Sequence, residues 1–422
     1  MGSAVKRSRL VHAVPFFYGW VVLFAGTVGI IMTGPGQTFG ISVFVNYFIQ
    51  DLGITRSTLS LIYGLATLTA SLALPAMGRQ IDRHGPRVMV VVIGLCFGLV
   101  AMGMSLVQSV FTLFLGFVGL RFLGQGSLQL VSNNVIAQWF VRKRGLVMGL
   151  SGLGMAAAFT IFPDIIHRFI LAFGWRTAWV VLGLLIWAVV IPTGWFFFRD
   201  RPEDYGLWPD GQPVEGTEKG ETPLEEHWTL PEARRTAAFW VFAAGLATIA
   251  MILTGLHFHQ VSLFQSRGLS TSAAIGAFQV VGVASATSVF VVGWLLDHVS
   301  PRWLLAVAMS FLAGTMLLAM SMTRLWHVVM YGVLMGATSG FFRAIDSVVW
   351  AKYYGRRHLG AVRGAALMGV VIGTALGPYP LGLSRDVLGS YSPALTALLV
   401  LPLSIAVAAL LVSRPRKRAL AD

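Results

Sequence analysis

Among the ionisable side chains inside the long apolar stretches of this chain, seven are candidates to bind a charged ligand or to carry a proton. Hydrocarbon makes an ionised side chain costly, so an acidic or basic residue at such a position points to function. An arginine can pair with a carboxylate through two parallel hydrogen bonds, whereas histidine and aspartate can take up and release protons. These residues are Arg121, Asp164, His167, His257, His259, Arg343 and Asp346.

Arg121 lies in the middle part of the fourth apolar stretch, within the sequence R-F-L-G-Q-G. Its guanidinium could pair with a ligand carboxylate or influence a nearby proton site. The alternative is a structural arginine that donates to backbone carbonyls where a helix breaks. We take Arg121 as a candidate binding residue and leave both interpretations open.

Two pairs of ionisable residues have the i, i+3 spacing that places side chains side by side on a helix. Arg343 and Asp346 can therefore neutralise each other as a structural pair. In the functional alternative, Asp346 is a protonatable carboxylate and Arg343 is its release switch or an anion site. Asp164 and His167 have the same spacing near the predicted outer end of the fifth apolar stretch, and Asp164 is a candidate for proton coupling.

His257 and His259 lie two residues apart in the seventh apolar stretch. Side chains at i and i+2 point to different faces of a helix, so we do not expect the two rings to share a metal ion. One ring is expected to face a central cavity. His259 is a candidate for proton uptake from outside and His257 for ligand binding, while packing near a helix end would explain either ring equally well.

Neutral polar residues complete the candidate binding site. An amide can both donate and accept, so it can orient a polar ligand, although several amides must simply bond neighbouring helices. The sequence G-P-G at residues 34–36 predicts an interruption of the first stretch. The candidate amides are Gln37 on the first stretch, Gln129, Asn133 and Asn134 on the fourth, and Gln279 on the eighth.

The elements that must position these residues are membrane-spanning helices. Of 422 residues, 56% are hydrophobic and 11% are charged, and the mean hydropathy is +0.75. A soluble domain carries about a quarter charged residues, and a helix needs about 20 apolar residues to cross the hydrocarbon core. We therefore predict an all-α membrane protein with twelve spans, at about 16–48, 57–78, 88–107, 110–137, 145–171, 176–198, 238–264, 272–296, 303–322, 326–351, 360–383 and 392–412.

The basic residues are distributed as in a membrane protein rather than a nucleic-acid-binding one. With a cytoplasmic N-terminus, 23 of the 31 Lys and Arg residues fall on the cytoplasmic side and six fall outside. The positive-inside rule then predicts that both termini are cytoplasmic. We expect a multi-pass protein of the cytoplasmic (inner) membrane that contacts the lipid bilayer and no nucleic acid. The single cysteine, Cys96, excludes an intramolecular disulfide and a cysteine metal site.

An internal repeat divides the chain into two halves. The sequence G-R-Q-I-D-R-H-G-P-R at residues 78–87 recurs as G-W-L-L-D-H-V-S-P-R at residues 293–302, an offset of 215. Parallel repeats with an even number of spans imply a two-fold axis along the membrane normal and a site between the halves. The predicted domains are two six-helix bundles at 1–198 and 238–422, joined by a solvated cytoplasmic linker at 199–237.

The repeated loop resembles the signature loop of the major facilitator superfamily. Its pattern G-x-x-x-D-R-x-G-x-R is matched in full between spans two and three and in part between spans eight and nine. In that family the loop latches one conformation through a charge network at helix ends, so the resemblance implies gating. The residues concerned are Gly78, Asp82, Arg83, Gly85 and Arg87, with Asp297 and Arg302 in the imperfect copy.

Further segments resemble bacterial relatives of the monocarboxylate and oxalate/formate transporters. They include F-Y-G-W at 17–20, W-F-V-R-K-R-G at 139–145 and R-P-E-D-Y-G-L-W-P-D-G at 201–211. Members of that group typically carry an arginine in span eight, often with an aspartate one turn earlier. The corresponding positions here are near Val289 and Ser285, and the predicted eighth span contains no ionisable side chain. The usual anion and proton sites are therefore missing.

The resemblance implies a secondary transporter that works by alternating access, with no enzyme activity and no catalytic residues. One hypothesis is a carrier of a small, monocarboxylate-like organic anion, coupled to protons, with Arg121 or Arg343 as the cationic partner. The alternative is a carrier or exporter of neutral or amphipathic solutes. We expect a small-molecule substrate, protons as the coupling ion, a monomeric protein, and no cofactor or metal.

Overall fold

Helices are the regular secondary structure of the part of the chain that the structure describes. The computed structural model describes residues 11, 14–140, 143–211, 228–355 and 359–415. Within that part, twelve helices are long and apolar enough to cross a membrane, which confirms the predicted number of spans. In chain order the spans are Gly19–Ser42, Arg56–His84, Pro86–Leu106, Val110–Trp139, Leu146–Phe173, Trp175–Phe197, Ala237–Ser266, Thr271–Leu296, Pro301–Ser321, Leu325–Tyr354, Ala361–Leu388 and Ser392–Leu411.

The chain divides into two compact units. The first consists of Met1–Leu52 and Leu65–Glu218, and the second of Gly53–Gly64 and Lys219–Asp422. The first turns of span two therefore belong to the second unit, and the rest of that helix belongs to the first.

Span one of the first unit is not a continuous helix. A Cβ atom added at Gly36 would lie 2.6 Å from the Leu120 carbonyl oxygen, so only glycine permits this approach to span four. Gln37 has extended backbone angles (φ −85°, ψ 156°) and separates two helical pieces. The predicted interruption at G-P-G is thus confirmed. The pieces are Gly19–Ile31, the 3-10 turn Gly34–Gly36 and Thr38–Ser42.

Span four contains a π-helical segment opposite this break. The segment Leu120–Leu128 lies between the α-helices Val110–Gly119 and Gln129–Trp139. A π-helical turn is wider than an α-helical turn and shifts the direction of the side chains that follow, and such segments are frequent at functional sites. Arg121 lies at the start of this segment.

Spans eight and ten of the second unit pack more closely than ordinary side chains allow. Gly332, Gly336 and Gly340 recur every four residues on span ten and face span eight. A Cβ atom at Gly336 would lie 2.6 Å from the Val281 carbonyl oxygen, and one at Gly340 would lie 3.0 Å from the Ser285 carbonyl oxygen. Small residues at this spacing let two membrane helices approach closely. Side chains of span ten can therefore reach span eight.

The repeated loop has the same local role in each unit. In the first unit, Arg87 Nε donates to the Trp195 carbonyl oxygen at 3.1 Å, and the guanidinium lies 4.9 Å from the Trp195 ring. In the second, Arg302 Nη1 donates to the Val412 carbonyl oxygen at 3.2 Å and lies 5.7 Å from the Trp303 ring. Each arginine thus ties the start of the third helix of its half to the end of the sixth.

The linker is predicted to be solvated, but several residues at its described ends are buried. Arg199 and Tyr205 are each only 4% exposed. Trp228 is also buried, and its backbone N–H donates to the Tyr354 carbonyl oxygen at 3.0 Å. Two of the buried residues, Tyr205 and Trp228, are aromatic. The acidic composition of the whole segment gave no indication that they would be buried. Residues 212–227 lie outside the described part.

Candidate functional site

Arg121 is buried where the break in span one meets span four. Its side chain is 3% exposed, and Nε donates to Thr67 Oγ1 at 3.1 Å. Nη1 donates to the Gly36 carbonyl oxygen and to Thr38 Oγ1, both at 3.5 Å. This geometry matches the structural alternative, in which the guanidinium donates to a carbonyl at a helix break. A role of Arg121 in binding stays a prediction.

The broken segment of span one also meets the amides of span four. Gln37 Nε2 donates to Thr33 Oγ1 at 3.1 Å and to Gln129 Oε1 at 3.5 Å, so the structure brings two of the predicted amides together. Asn133 lies one turn beyond Gln129 on the same face, and Asn134 is rotated about 100° from Asn133. Gln129 and both asparagines are half-buried, which leaves their amide groups within reach of a ligand.

Arg343 reaches from span ten to span eight, where its Nη2 donates to Ser285 Oγ at 2.6 Å. Asp346 instead accepts from Arg363 Nη2 at 2.7 Å and from Trp350 Nε1 at 3.1 Å. The predicted Arg343–Asp346 pair therefore does not form, because Arg363 and Trp350 engage one carboxylate oxygen each. Among the described residues, Arg343 has no ion-pair partner.

His257 lies within electrostatic range of Arg343 in the second unit. Its side chain is buried, and its ring stacks on Phe278 with a centroid distance of 5.9 Å and an interplanar angle of 21°. Gln279 follows Phe278 and is exposed. It borders a groove of about 540 Å³ between spans eight and ten, whose other walls are mainly apolar. The second unit thus places Arg343 and His257 together, with Gln279 at a neighbouring groove.

His259 faces different neighbours from His257, as the i, i+2 spacing predicts. It is fully buried, and its Nε2 lies 3.2 Å from Ser60 Oγ and 2.9 Å from the Pro378 carbonyl oxygen. Its ring centroid lies 5.4 Å from that of Tyr391. Residues of spans two, seven and eleven therefore meet around this ring.

Asp164 lies within electrostatic range of His167 and also forms an ion pair with Arg168. Its carboxylate accepts from Arg168 Nε at 2.8 Å, and the two side chains are 34% and 75% exposed, respectively. Residues at i and i+4 are neighbours on a helix just as those at i and i+3 are, and the permanently charged arginine is the stronger partner. Solvent screens such an exposed pair. The proton-coupling role of Asp164 stays a prediction.

The signature loop holds its shape through an aspartate outside the motif. Asp82 and Arg83 are exposed at the end of span two. Gly85 has φ +82°, and a Cβ atom there would lie 2.5 Å from Asp200 Oδ1. That oxygen accepts from the Arg87 backbone N–H at 3.1 Å. Asp200 therefore caps the start of span three, where a carboxylate is favoured by the unpaired N–H groups of the helix end.

The remaining loop residues give no structural support for gating. A Cβ atom at Gly78 would have only Leu130 Cδ2 near it, at 4.0 Å, so packing there does not require glycine. The side chain of Asp297 lies outside the described part. Gating by the seven signature-loop residues stays a prediction.

The other motifs build an aromatic cluster in the first unit. The ring of Trp139 lies 5.8 Å from that of Phe17 and 5.6 Å from that of Tyr18. Trp139 Nε1 donates to the Arg199 carbonyl oxygen at 2.9 Å, and the Tyr18 hydroxyl donates to the Phe197 carbonyl oxygen at 3.1 Å. Burial raises the pKa of the Tyr18 phenol above its ordinary value, so the ring stays neutral. These motifs fix the ends of spans one, four and six.

Sequence reasoning missed the neutral partners of the charged groups. Thr67 and Ser285 hold the two arginines, but a single hydroxyl in an apolar span carries no distinctive signal. For Ser285 a signal existed, because it stands near the position where the resembling transporters carry an aspartate. Asp200 was hidden within the acidic linker.

Twelve spans, a broken first span and the buried Arg121 near half-buried amides are typical of a polytopic membrane transporter. The sequence profile of the Major Facilitator Superfamily matches residues 26–378, and the chain belongs to that family.

Individual relatives agree with this assignment. The chain is 26% identical over 174 residues to a Cupriavidus necator protein named "Probable sulfoacetate transporter", a match that covers 39% of this chain and only 38% of that protein. It is 26% identical over 392 residues to Monocarboxylate transporter 11 of Mus musculus, covering 89% of this chain and 83% of that protein. Among solved structures, it resembles a bacterial homolog of the human lysosomal transporter Spinster in an inward-facing, unoccupied conformation. The TM-score is 0.68, with 19% identity over 93% of this chain and 94% of that chain, which concerns the fold alone.

Proposed function

We propose that this transporter moves a small organic anion across the cytoplasmic membrane by alternating access, coupled to protons. The cation that binds the anion is Arg343 on span ten. His257 and Gln279 are further candidate binding residues in the second unit, and Gln37, Gln129, Asn133 and Asn134 are the candidate binding residues of the first unit.

The observation that carries this proposal is the environment of Arg343. Its guanidinium donates to a neutral hydroxyl, that of Ser285, while the nearest acid along its own helix is occupied by Arg363. In the part of the chain that the structure describes, no carboxylate pairs with it. Arg343 is half-buried, and an arginine without a counter-charge is costly within a membrane-spanning segment. A bound anion would supply the missing counter-charge, which gives a reason for keeping the arginine there.

The contact with Ser285 also bears on the eighth span, which has no ionisable side chain of its own. The resembling transporters carry an arginine and an aspartate on span eight, near the positions of Val289 and Ser285. Here spans eight and ten pack closely, so the guanidinium of Arg343 on span ten reaches Ser285 on span eight. The positive charge therefore lies about one helical turn from the position near Val289 where the resembling transporters carry their arginine.

Arg121 has a different role in this proposal. Its contacts with Gly36, Thr38 and Thr67 fix the broken segment of span one against spans two and four. That segment carries Gln37 toward Gln129. Arg121 therefore positions polar groups of the first unit, and a substrate carboxylate is not its main partner.

The names of two relatives support an anionic substrate. Sulfoacetate carries a carboxylate and a sulfonate, and a monocarboxylate carries one carboxylate. Each of these groups presents oxygens that a guanidinium can bind with two parallel hydrogen bonds. We further propose His259, Asp346 and Asp164 as candidates for proton coupling, both termini in the cytoplasm as the basic loops predict, and a monomeric protein.

Counterflow in proteoliposomes tests the proposal directly. Purified protein is loaded with a panel of unlabelled carboxylates or neutral solutes, and uptake of the labelled compounds is measured with and without a pH gradient. We expect carboxylate counterflow that an inward pH gradient stimulates. Active protein that exchanges neutral solutes but no carboxylate would refute the anion proposal.

Substitution of Arg343 then tests the residue. Arg343→Gln removes the charge and should weaken the apparent affinity for the anion by at least about tenfold, because hydrogen bonds to charged groups contribute about 1.5–3 kcal/mol. Arg343→Lys keeps the charge but loses the planar fork, so an intermediate affinity is expected. Arg234→Gln, an exposed arginine before span seven, is the matched control and should leave the affinity unchanged.

A second candidate function is a carrier or exporter of neutral or amphipathic solutes. The groove of about 540 Å³ beside Gln279 favours it, because Val283 and Val333 give that groove largely apolar walls. The same counterflow panel distinguishes the two functions, since this alternative predicts exchange that is insensitive to Arg343→Gln.

A further inference from the structure

The first turns of span two are held in the second unit by an unusual set of polar contacts. The carboxylate of Asp386, near the end of span eleven, accepts from the backbone N–H groups of Arg56 and Ser57 at 3.3 and 2.6 Å. A carboxylate at this position satisfies N–H groups that have no partner within the helix, and it complements the positive end of the helix dipole. Asp386 thus caps a helix that begins on another part of the chain.

Two side chains of this helical segment reach span seven. The Arg56 guanidinium donates to Ser262 Oγ at 2.6 Å, and Ser60 Oγ lies 3.2 Å from Nε2 of His259. Packing is close as well, because a Cβ atom at Gly382 of span eleven would lie 2.8 Å from Ser60 Oγ. The segment 53–64 is therefore fastened to spans seven and eleven at both its backbone and its side chains.

The hydrogen-bond partners of His259 determine its tautomer. The Ser60 hydroxyl donates its single proton to the Arg56 carbonyl oxygen at 2.7 Å, so it can only accept from the histidine. The Pro378 carbonyl oxygen, 2.9 Å from Nε2, can also only accept. Nε2 must therefore carry the proton. Nδ1 is then an unprotonated acceptor, and it is buried with no hydrogen-bond partner among the described residues.

We propose that Arg56, Ser60, His259 and Asp386 form a proton-controlled latch, the span-two latch, in which protonation of His259 at Nδ1 releases segment 53–64 from spans seven and eleven. This inference rests on the proposed proton coupling and supplies its structural element. The ring binds a second proton only when Nδ1 gains an acceptor or water, and the closed latch gives it neither. Binding of a proton to Nδ1 of His259 therefore shifts the equilibrium toward the released state.

The charged and titratable groups around the ring support this direction. Arg56 is a cation whose charge opposes a second positive charge on His259, while Asp386 attracts it. Both carboxylate oxygens of Asp386 are already engaged by backbone N–H groups. Burial raises the pKa of the Tyr391 phenol, so that neighbouring ring stays neutral, and Arg385 lies over its face at 5.8 Å. None of these groups presents a free acceptor to Nδ1.

The expected size of the effect follows from linkage. A hydrated imidazole takes up its proton below about pH 6.5. If only the released state binds this proton, the released population rises by up to roughly tenfold for each pH unit below that value. Above it, His259 is neutral in both states and the latch is independent of pH.

Hydrogen–deuterium exchange of the full chain in lipid nanodiscs, without substrate, tests the latch. Protection of peptides covering residues 53–64 is measured at pH 5.5 and pH 7.5 and corrected for the intrinsic pH dependence of amide exchange. The wild-type protein should lose up to roughly tenfold in protection at the lower pH. His259→Gln should abolish this change, because the amide can still donate to Pro378 but cannot take up a proton. His327→Asn, which keeps the acceptor at the start of span ten, is the matched control and should behave as the wild type.

Three results would overturn the proposal. The first is that protection of residues 53–64 in the wild-type protein does not change between the two pH values. The second is that the pH response persists in His259→Gln. The third is that His327→Asn abolishes the pH response as His259→Gln does. Should His259→Gln fail to fold, Asp386→Asn provides a second variant, expected to lower protection of 53–64 by roughly 2- to 30-fold at both pH values. Unchanged protection in Asp386→Asn would equally refute the latch. Because no substrate is present, these outcomes are independent of whether the transported solute is an anion.

Discussion

Ser285→Asp is the substitution that most directly probes the role of Arg343. The wild-type Ser285 hydroxyl lies 2.6 Å from Arg343 Nη2, so a carboxylate introduced at this position reaches the guanidinium. It would form the ion pair that the described structure lacks. A substrate anion would then have to compete with this internal carboxylate. Compared with a neutral residue of the same size at this position, aspartate should make the protein more stable and its substrate binding weaker.

The size of the effect can be worked from this contact. A hydrogen bond to a charged group contributes about 1.5–3 kcal/mol, which corresponds to a loss of about 10- to 150-fold in apparent substrate affinity. A steric cost is also expected, because Ser285 is 1% exposed and a Cβ atom at Gly336 would already lie 3.0 Å from its backbone nitrogen. Overpacking at such a site costs about 1–3 kcal/mol of folding stability.

Ser285→Asn separates the two effects, since asparagine has nearly the same volume as aspartate and no charge. Apparent affinity is measured by substrate-dependent uptake in proteoliposomes, and stability by thermal unfolding in detergent at fixed protein concentration. Relative to Ser285→Asn, Ser285→Asp should have the higher unfolding temperature and the lower affinity. Steric damage cannot produce this opposite pair of changes. Equal affinities in the two variants, or a lower unfolding temperature for Ser285→Asp, would refute the assignment of Arg343 as the anion-binding cation.

Two further predictions concern stability. Gly36→Ala should lower the free energy of unfolding by about 1–3 kcal/mol, because its Cβ would lie 2.6 Å from a backbone oxygen that cannot move aside, whereas Gly149→Ala meets no atom within 4 Å and should be neutral or stabilising. Thermal unfolding measures both, and an equal effect of the two variants would contradict the close approach at Gly36. Asp200→Ala should cost about 0.5–2 kcal/mol through loss of the cap on span three, while Asp82→Asn, at an exposed position, should change stability little. A larger loss from Asp82→Asn than from Asp200→Ala would show that the cap has been misassigned.

The twelve spans were predictable because the bilayer imposes a minimum length of apolar helix, and length and composition are properties of sequence alone. The end of span one was less predictable. Residues 16–48 read as one span, but the span ends at Ser42 and a separate helix, Val45–Leu52, follows. Apolar composition continues through this region, so hydropathy gives no sign of the division. The break at G-P-G was predictable because proline and glycine act on the backbone locally.

For the candidate site, the sequence supplies candidate residues but not the partners that those residues have in the structure. Spacing along one helix places Arg343 beside Asp346, but it contains no information on what a neighbouring helix brings closer. Arg363 from span eleven and Ser285 from span eight decide the actual pairing. For Asp164 the sequence reasoning missed a partner on the same helix, Arg168. The i, i+4 neighbour was available from sequence, and the spacing rule applies to it equally.

The internal repeat gives a reason why charge recognition in this proposal belongs to the second unit. The repeated loop has an offset of 215, but Gly126 and Gly340 are related by an offset of 214, and at this local offset Gln129 corresponds to Arg343. Gln129 accepts from Gln37 on the broken span of its own unit, whereas Arg343 donates to Ser285 on span eight. This position of the internal repeat thus carries a neutral amide in the first unit and a permanent cation in the second. A carrier of uncharged solutes has no need of this difference, because a second amide would donate to Ser285 without the cost of burying a charge. The asymmetry between Gln129 and Arg343 therefore favours an anionic substrate independently of any relative's name.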